Sequence, residues 1–196
     1  MDERKGFIFV RDYRKRYRLL PLEPPGSIAH EFSKARKTWE MAKQKITRLN
    51  PRVLLQEQAF EQAGRPGQEP VKVFYADRPE GMKIKTRFYF FLQRQRTRHL
   101  LFLAGEALLI PISVLAAVLP GPNIFFYFLA ALMIIQGQAV RGISRILRKE
   151  QEFIPSKALA EWEAAVEAGD AQRLKAALEE VEKAHPLEGL RRILWK

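Results

Sequence analysis

The chain has no cysteine and only three histidines among its 196 residues. Without cysteine it cannot form a disulfide, a cysteine-ligated zinc site, an iron–sulfur cluster or a thiol nucleophile. It also has no glycine-rich phosphate loop, no dinucleotide fingerprint, no paired-histidine metal motif and no Gly-x-Ser-x-Gly elbow. His30, His99 and His185 are far apart in the sequence. These absences argue against an enzyme, a metal centre and a bound cofactor.

Charge is missing from one region only. The net charge of +12 arises within residues 1–99, whereas Glu106 is the only carboxylate or basic side chain between His99 and Arg141. With 47% apolar residues overall, the chain is too hydrophobic to be disordered. A nearly charge-free stretch in such a charged chain therefore needs a structural cause.

Residues 100–140 are the most apolar part of the chain, and turn-forming residues interrupt them once. The prolines of this turn lack the amide protons that a helix interior needs. Twenty helical residues rise about 30 Å, the thickness of a bilayer hydrocarbon core. The sequence therefore predicts a mainly α membrane protein with a two-helix transmembrane hairpin over 100–119 and 124–140. The candidate turn and interface residues are Pro120, Gly121, Pro122, Asn123 and Tyr127.

Cationic side chains flank this apolar pair on both sides and are absent from its turn. Because basic loops stay on the cytoplasmic side, both termini are expected there. The cations would contact anionic lipid headgroups. A buried hairpin of a soluble protein and a re-entrant or interfacial hairpin remain open alternatives. The candidate lipid contacts are Arg87, Arg94, Arg96, Arg98, Arg141, Arg145, Arg148 and Lys149.

The rest of the chain divides around the hairpin. We expect a basic α+β N-terminal domain over 1–78. It contains short strands at 6–10, 17–22 and around Val73, and a helix over 28–49 with one narrow apolar face. A basic aromatic interfacial helix follows over 79–99. After the hairpin come a basic linker over 141–155 and a helical C-terminal appendage over 156–196, in which Ser156 would cap the first helix.

Glu106 is the candidate ion-binding or proton-binding group. An ionisable side chain within an apolar span is costly to bury, so its presence there indicates a functional role. The alternative is a structural carboxylate that pairs with Arg141 or reaches the membrane interface. No other residue type in the hairpin suggests chemistry.

Short matches within the hairpin resemble a known family. They comprise Arg98-His99-Leu100-Leu101, Pro111, the run from Leu119 to Tyr127, Gln138-Ala139 and Arg141-Gly142. This pattern is similar to the mitochondrial potassium–proton exchange-related family over about residues 95–145. The resemblance implies a role in monovalent-cation homeostasis, and it brings no established transport residues with it.

Together these features predict a small integral membrane protein that is a component or regulator of potassium–proton exchange. Two spans offer few groups to line a path, so a homo-oligomer or a larger membrane complex is expected. The acidic first residues do not resemble a mitochondrial presequence, which favours a bacterial cytoplasmic membrane over the mitochondrial inner membrane. The alternative is a soluble or peripheral basic adaptor that binds nucleic acid or a protein partner through residues 1–99.

Overall fold

The computed structural model describes residues 6–22, 56, 59–60, 70–77, 81–115, 124–187 and 190–195. Its strands are β1 (Phe7–Arg11), β2 (Tyr17–Pro21), β3 (Val71–Ala76) and β4 (Gln151–Ser156). Its helices are α1 (Gly81–Leu115), α2 (Ile124–Arg148), α3 (Lys157–Ala168), α4 (Ala171–Ala184) and α5 (Leu190–Leu194). The predicted helix over 28–49, the turn over 120–123 and the side chain of Tyr127 lie outside the part described.

The four strands form one mixed sheet in the order β2-β1-β3-β4. β1 pairs antiparallel with β2 and parallel with β3, and β3 pairs parallel with β4. The three predicted strands are confirmed, and β4 is an additional strand at the edge of the sheet. Since β4 follows the hairpin in the chain, the sheet joins both ends of the sequence.

Helices cover both faces of this sheet. Successive side chains of a strand point to opposite faces, so Phe7 and Phe9 of β1 pack in one core while Ile8 and Val10 pack in the other. The first core includes α1 and α2, and the second includes α3, α4 and α5. Burial on both faces explains why β1 is a continuous apolar run instead of an alternating one.

The expected fold class, a mainly α membrane protein with a transmembrane hairpin, is wrong. Within the ranges that the structure describes, neither α1 nor α2 has a stretch long and apolar enough to cross a bilayer. The two helices extend beyond the predicted spans, and their ends outside residues 100–140 pack on the sheet through Phe88, Leu92, Ile143 and Ile146. The observed architecture is an α/β fold with a central mixed sheet.

A polar network attaches the C-terminal end of β1 to α3. The indole N–H of Trp162 donates to the carbonyl oxygen of Arg11 at 2.7 Å, and the backbone N–H of Arg11 donates to the Glu163 carboxylate at 3.0 Å. The guanidinium of Arg11 also binds Glu163 and Glu167. Burial acts to lower the pKa of Arg11, but these carboxylates outweigh it and the pKa is raised. The end of β1 is therefore fixed to α3 by paired charges.

A candidate proton-binding site between two helices

One row of α1 is buried, and its polar part contacts α2. Phe88, Leu92, His99 and Glu106 are buried and follow one another at steps of four, seven and seven residues. Those steps keep side chains on one face of an α-helix. Near the sheet the row is apolar, and farther along it becomes polar at His99 and Glu106. The hairpin therefore contains a polar segment in an otherwise apolar interface.

Gln136 of α2 connects the two polar residues of this row. The Nδ1 atom of His99 lies 2.6 Å from the Oε1 atom of Gln136, and the Gln136 side chain also hydrogen-bonds Glu106. Since the amide oxygen can only accept, His99 donates through Nδ1 and the amide nitrogen of Gln136 donates to the carboxyl group. Side chains of a helix lean toward its N-terminus, which brings Glu106 back toward the level of His99.

Glu106 is in a site that favours its neutral form. The residue is only 9% exposed, and its Oε2 atom is buried with no hydrogen-bond partner among the described residues. Burial raises the pKa of Glu106, and the hydrogen bond from Gln136 lowers it in part, with a net rise. A carboxyl group in this environment keeps its proton at a pH where an exposed glutamate has lost it.

The chain at Phe60 closes the site from a third side. The Phe60 ring meets the His99 ring edge to face, with 5.8 Å between their centroids. Gly142 of α2 makes this approach possible, because a Cβ atom there would lie 1.6 Å from the carbonyl oxygen of Phe60. Sequence reasoning did not assign Phe60, Gly142 or Gln136 to the site, because each acts through a contact between segments distant in the sequence.

The arginines and the lysine that were predicted to contact lipid lie mainly near the ends of α1 and α2 that are next to the sheet. Arg94, Arg98, Arg141 and Arg148 are exposed, whereas Arg87, Arg96, Arg145 and Lys149 are partly buried. The guanidinium of Arg98 lies 5.5 Å from the centroid of the Phe102 ring. No ion pair joins Arg141 to Glu106 in the part of the chain described, where Gln136 is the partner of that carboxyl group. The site is thus formed by Glu106, Gln136 and His99, without the predicted arginines.

A comparison with protein families gives a match. A family model described as mitochondrial K+-H+ exchange-related matches residues 27–148, a range that includes α1, α2 and the three site residues. Neither the curated proteins nor the solved structures contain a match to the chain. The matched range is more than half of the sequence, and it confirms the resemblance found in the hairpin. The chain therefore belongs to the mitochondrial K+-H+ exchange-related family.

Proposed function

We propose that the protein is a component or regulator of monovalent cation–proton exchange and that Glu106 is its proton-binding group. The family match supports a role related to K+-H+ exchange. The observation on which the proposal depends is the buried carboxyl group of Glu106, which has one oxygen hydrogen-bonded and the other without a partner in the described residues.

Proton binding at Glu106 would change the contacts between α1 and α2. As a carboxylate, the group only accepts hydrogen bonds, whereas the protonated acid also donates one. The negative charge is costly at a buried position, so protonation removes the free-energy cost of burying that charge between the helices. Gln136 extends this change to His99 through the 2.6 Å hydrogen bond. Proton occupancy can therefore alter how tightly the two helices pack.

A regulatory role fits the number of ionisable groups better than complete transport does. Glu106 is the only carboxylate or base between His99 and Arg141, and a transport path needs several polar groups in sequence. As part of the same proposal, the protein acts at a bacterial cytoplasmic membrane, as a homo-oligomer or within a larger complex that contains the exchanger.

The test is potassium–proton exchange in membrane vesicles from cells that lack the protein. Exchange is followed with a pH-sensitive dye after addition of potassium, over a range of pH. We expect wild-type protein to restore exchange and Glu106→Gln, which has no titratable group, to restore it with a flattened pH profile. The matched control is Glu152→Gln, since Glu152 is an exposed carboxylate on β4.

Two results would contradict the proposal. One is an exchange rate that does not depend on the presence of the wild-type protein. The other is a pH profile for Glu106→Gln that coincides with the wild-type and Glu152→Gln profiles. Circular dichroism of each variant confirms that the chain is folded, which we expect because glutamine is a neutral replacement of almost the same shape.

A further inference from the structure

The exposed apolar surface of the described chain is concentrated on the hairpin. Phe90, Leu101 and Leu108 of α1 are 70%, 69% and 76% exposed. Spacings of eleven and seven residues place these three side chains on one face of the helix. The other large exposed apolar residues within the described ranges are Tyr89, Leu100, Phe102, Leu109 and Ile134. We call this set, together with its neighbouring arginines Arg94, Arg98 and Arg141, the hairpin surface.

The hairpin surface extends around more than one side of α1. Phe102 and Leu109 each follow Leu101 and Leu108 by one residue, so they lie about 100° farther around the helix. A single partner helix packs against a narrow stripe, whereas a helix that lies in a membrane interface buries a broad apolar face. An apolar surface of this shape favours lipid over a second protein helix.

The charges of the hairpin surface are all positive. Arg94, Arg98 and Arg141 are exposed, and Arg98 lies above the Phe102 ring, where the cationic and apolar parts meet. The carboxyl group of Glu106 is turned inward against α2, so it adds no negative charge to this surface. Exposed cations beside exposed aromatic and aliphatic side chains match the phosphates and the acyl boundary of an anionic membrane surface.

We propose that the hairpin surface docks on an anionic lipid bilayer. The arginines contact lipid phosphates, while Phe90, Leu101 and Leu108 enter the boundary between headgroups and acyl chains of a single leaflet. Such insertion reaches about 5 to 10 Å into one leaflet and requires no crossing of the membrane. The inference is independent of the role of Glu106 in exchange, because Glu106 is on the opposite, inward side of α1.

Vesicle sedimentation tests this proposal with the purified full-length chain. The vesicles contain either phosphatidylcholine alone or phosphatidylcholine mixed with phosphatidylglycerol. We expect the wild type to sediment with the anionic vesicles, and much less with the neutral ones. Arg94→Gln/Arg98→Gln should weaken binding to anionic vesicles about 25-fold, from about fivefold per arginine. Leu101→Ser/Leu108→Ser should weaken it about 100-fold, from about tenfold per leucine.

Matched variants on the C-terminal helices provide the controls. Lys175→Gln/Arg191→Gln removes two exposed cations, and Ala164→Ser/Ala168→Ser removes apolar surface from α3. Both should sediment like the wild type. All variants should unfold within about 3 °C of the wild type, because the replaced side chains are exposed and the changes affect only helix propensity.

Three results would overturn the proposal. The first is a wild-type chain that stays in the supernatant with anionic vesicles. The second is binding that the leucine and arginine variants retain at full strength. The third is a dimer in vesicle-free solution that Leu101→Ser/Leu108→Ser dissociates while lipid binding is absent, which would assign the surface to a second copy of the chain.

Discussion

Replacing Gly142 by alanine tests the close approach of the chain at Phe60 to α2. An added Cβ atom would lie 1.6 Å from the carbonyl oxygen and 2.6 Å from the carbonyl carbon of Phe60. Ordinary contact is about 3.5 Å, so the chain at Phe60 must retreat by about 2 Å. Phe60 is fully buried in the core shared by the sheet and the hairpin. The retreat therefore opens that core and withdraws the Phe60 ring from His99.

The cost of this retreat is about 3 kcal/mol, between that of an overpacked core and that of a lost phenylalanine side chain. Alanine recovers about 1 kcal/mol of helix propensity, which leaves a net loss of about 2 kcal/mol. For a chain of this size we expect the unfolding temperature to fall by about 6 °C.

Gly137 provides a control in the same helix, because a Cβ atom there meets nothing within 4 Å. Gly137→Ala should raise the unfolding temperature by about 3 °C through helix propensity alone. Both variants are measured by circular dichroism during heating and by urea denaturation. If Gly142→Ala is as stable as Gly137→Ala, that result contradicts the contact between the segment at Phe60 and α2.

Two further predictions concern the C-terminal helices. Glu163→Ala should lower the free energy of unfolding by about 3 kcal/mol, because it leaves the largely buried Arg11 with one ion-pair partner fewer. Glu167→Ala, at a half-exposed position, should cost under about 1 kcal/mol in the same urea titration, and equal costs would contradict the assigned burial. The ring of His185 lies 3.0 Å from the Ser156 hydroxyl, and burial lowers the pKa of this histidine. The contribution of His185 to stability is therefore complete above pH 6.5, and it is lost as the pH falls through the lower pKa of the folded state. Urea titrations over this pH range should show the loss in the wild type relative to His185→Phe, and a constant difference would argue against it.

The strands show how far local sequence predicts this fold. The apolar run of β1 and the alternation of β3 were sufficient to identify those strands. β4 was missed because Gln151, Glu152 and Pro155 give it little strand propensity. As an edge strand it tolerates a proline that a central strand would exclude. Its assignment depends on pairing with β3, which is distant in the sequence.

The hairpin shows why hydropathy alone led to the wrong fold class. A row of apolar residues has the same composition whether it faces lipid, a second helix or a sheet. Leu129, Ile135 and Ala139 of α2 are buried within the protein. Only the tertiary arrangement, which brings β4 back beside β3, reveals that the ends of α1 and α2 near residues 88–92 and 139–146 pack on a sheet.

The candidate site was predictable in part. Glu106 stood out from the sequence because it is the lone charged side chain of an apolar stretch. Its connection to His99 could not be read in the same way, because His99 and Gln136 are 37 residues apart and meet only through the register of α1 against α2. The predicted turn and interface residues remain predictions, as do the lipid contacts of the arginines.

The most direct test of the proton-binding claim is the titration of the Glu106 carboxyl group itself. The chain is labelled with carbon-13 at the glutamate carboxyl groups, and the Glu106 resonance is assigned by its loss in Glu106→Gln. Because burial raises the pKa of Glu106, its midpoint should lie above those of the exposed glutamates. Relative to Glu106→Gln, wild-type stability should be greatest below pH 4.5 and should fall as the pH rises through the folded-state pKa. A Glu106 midpoint at or below those of the exposed glutamates would contradict the account.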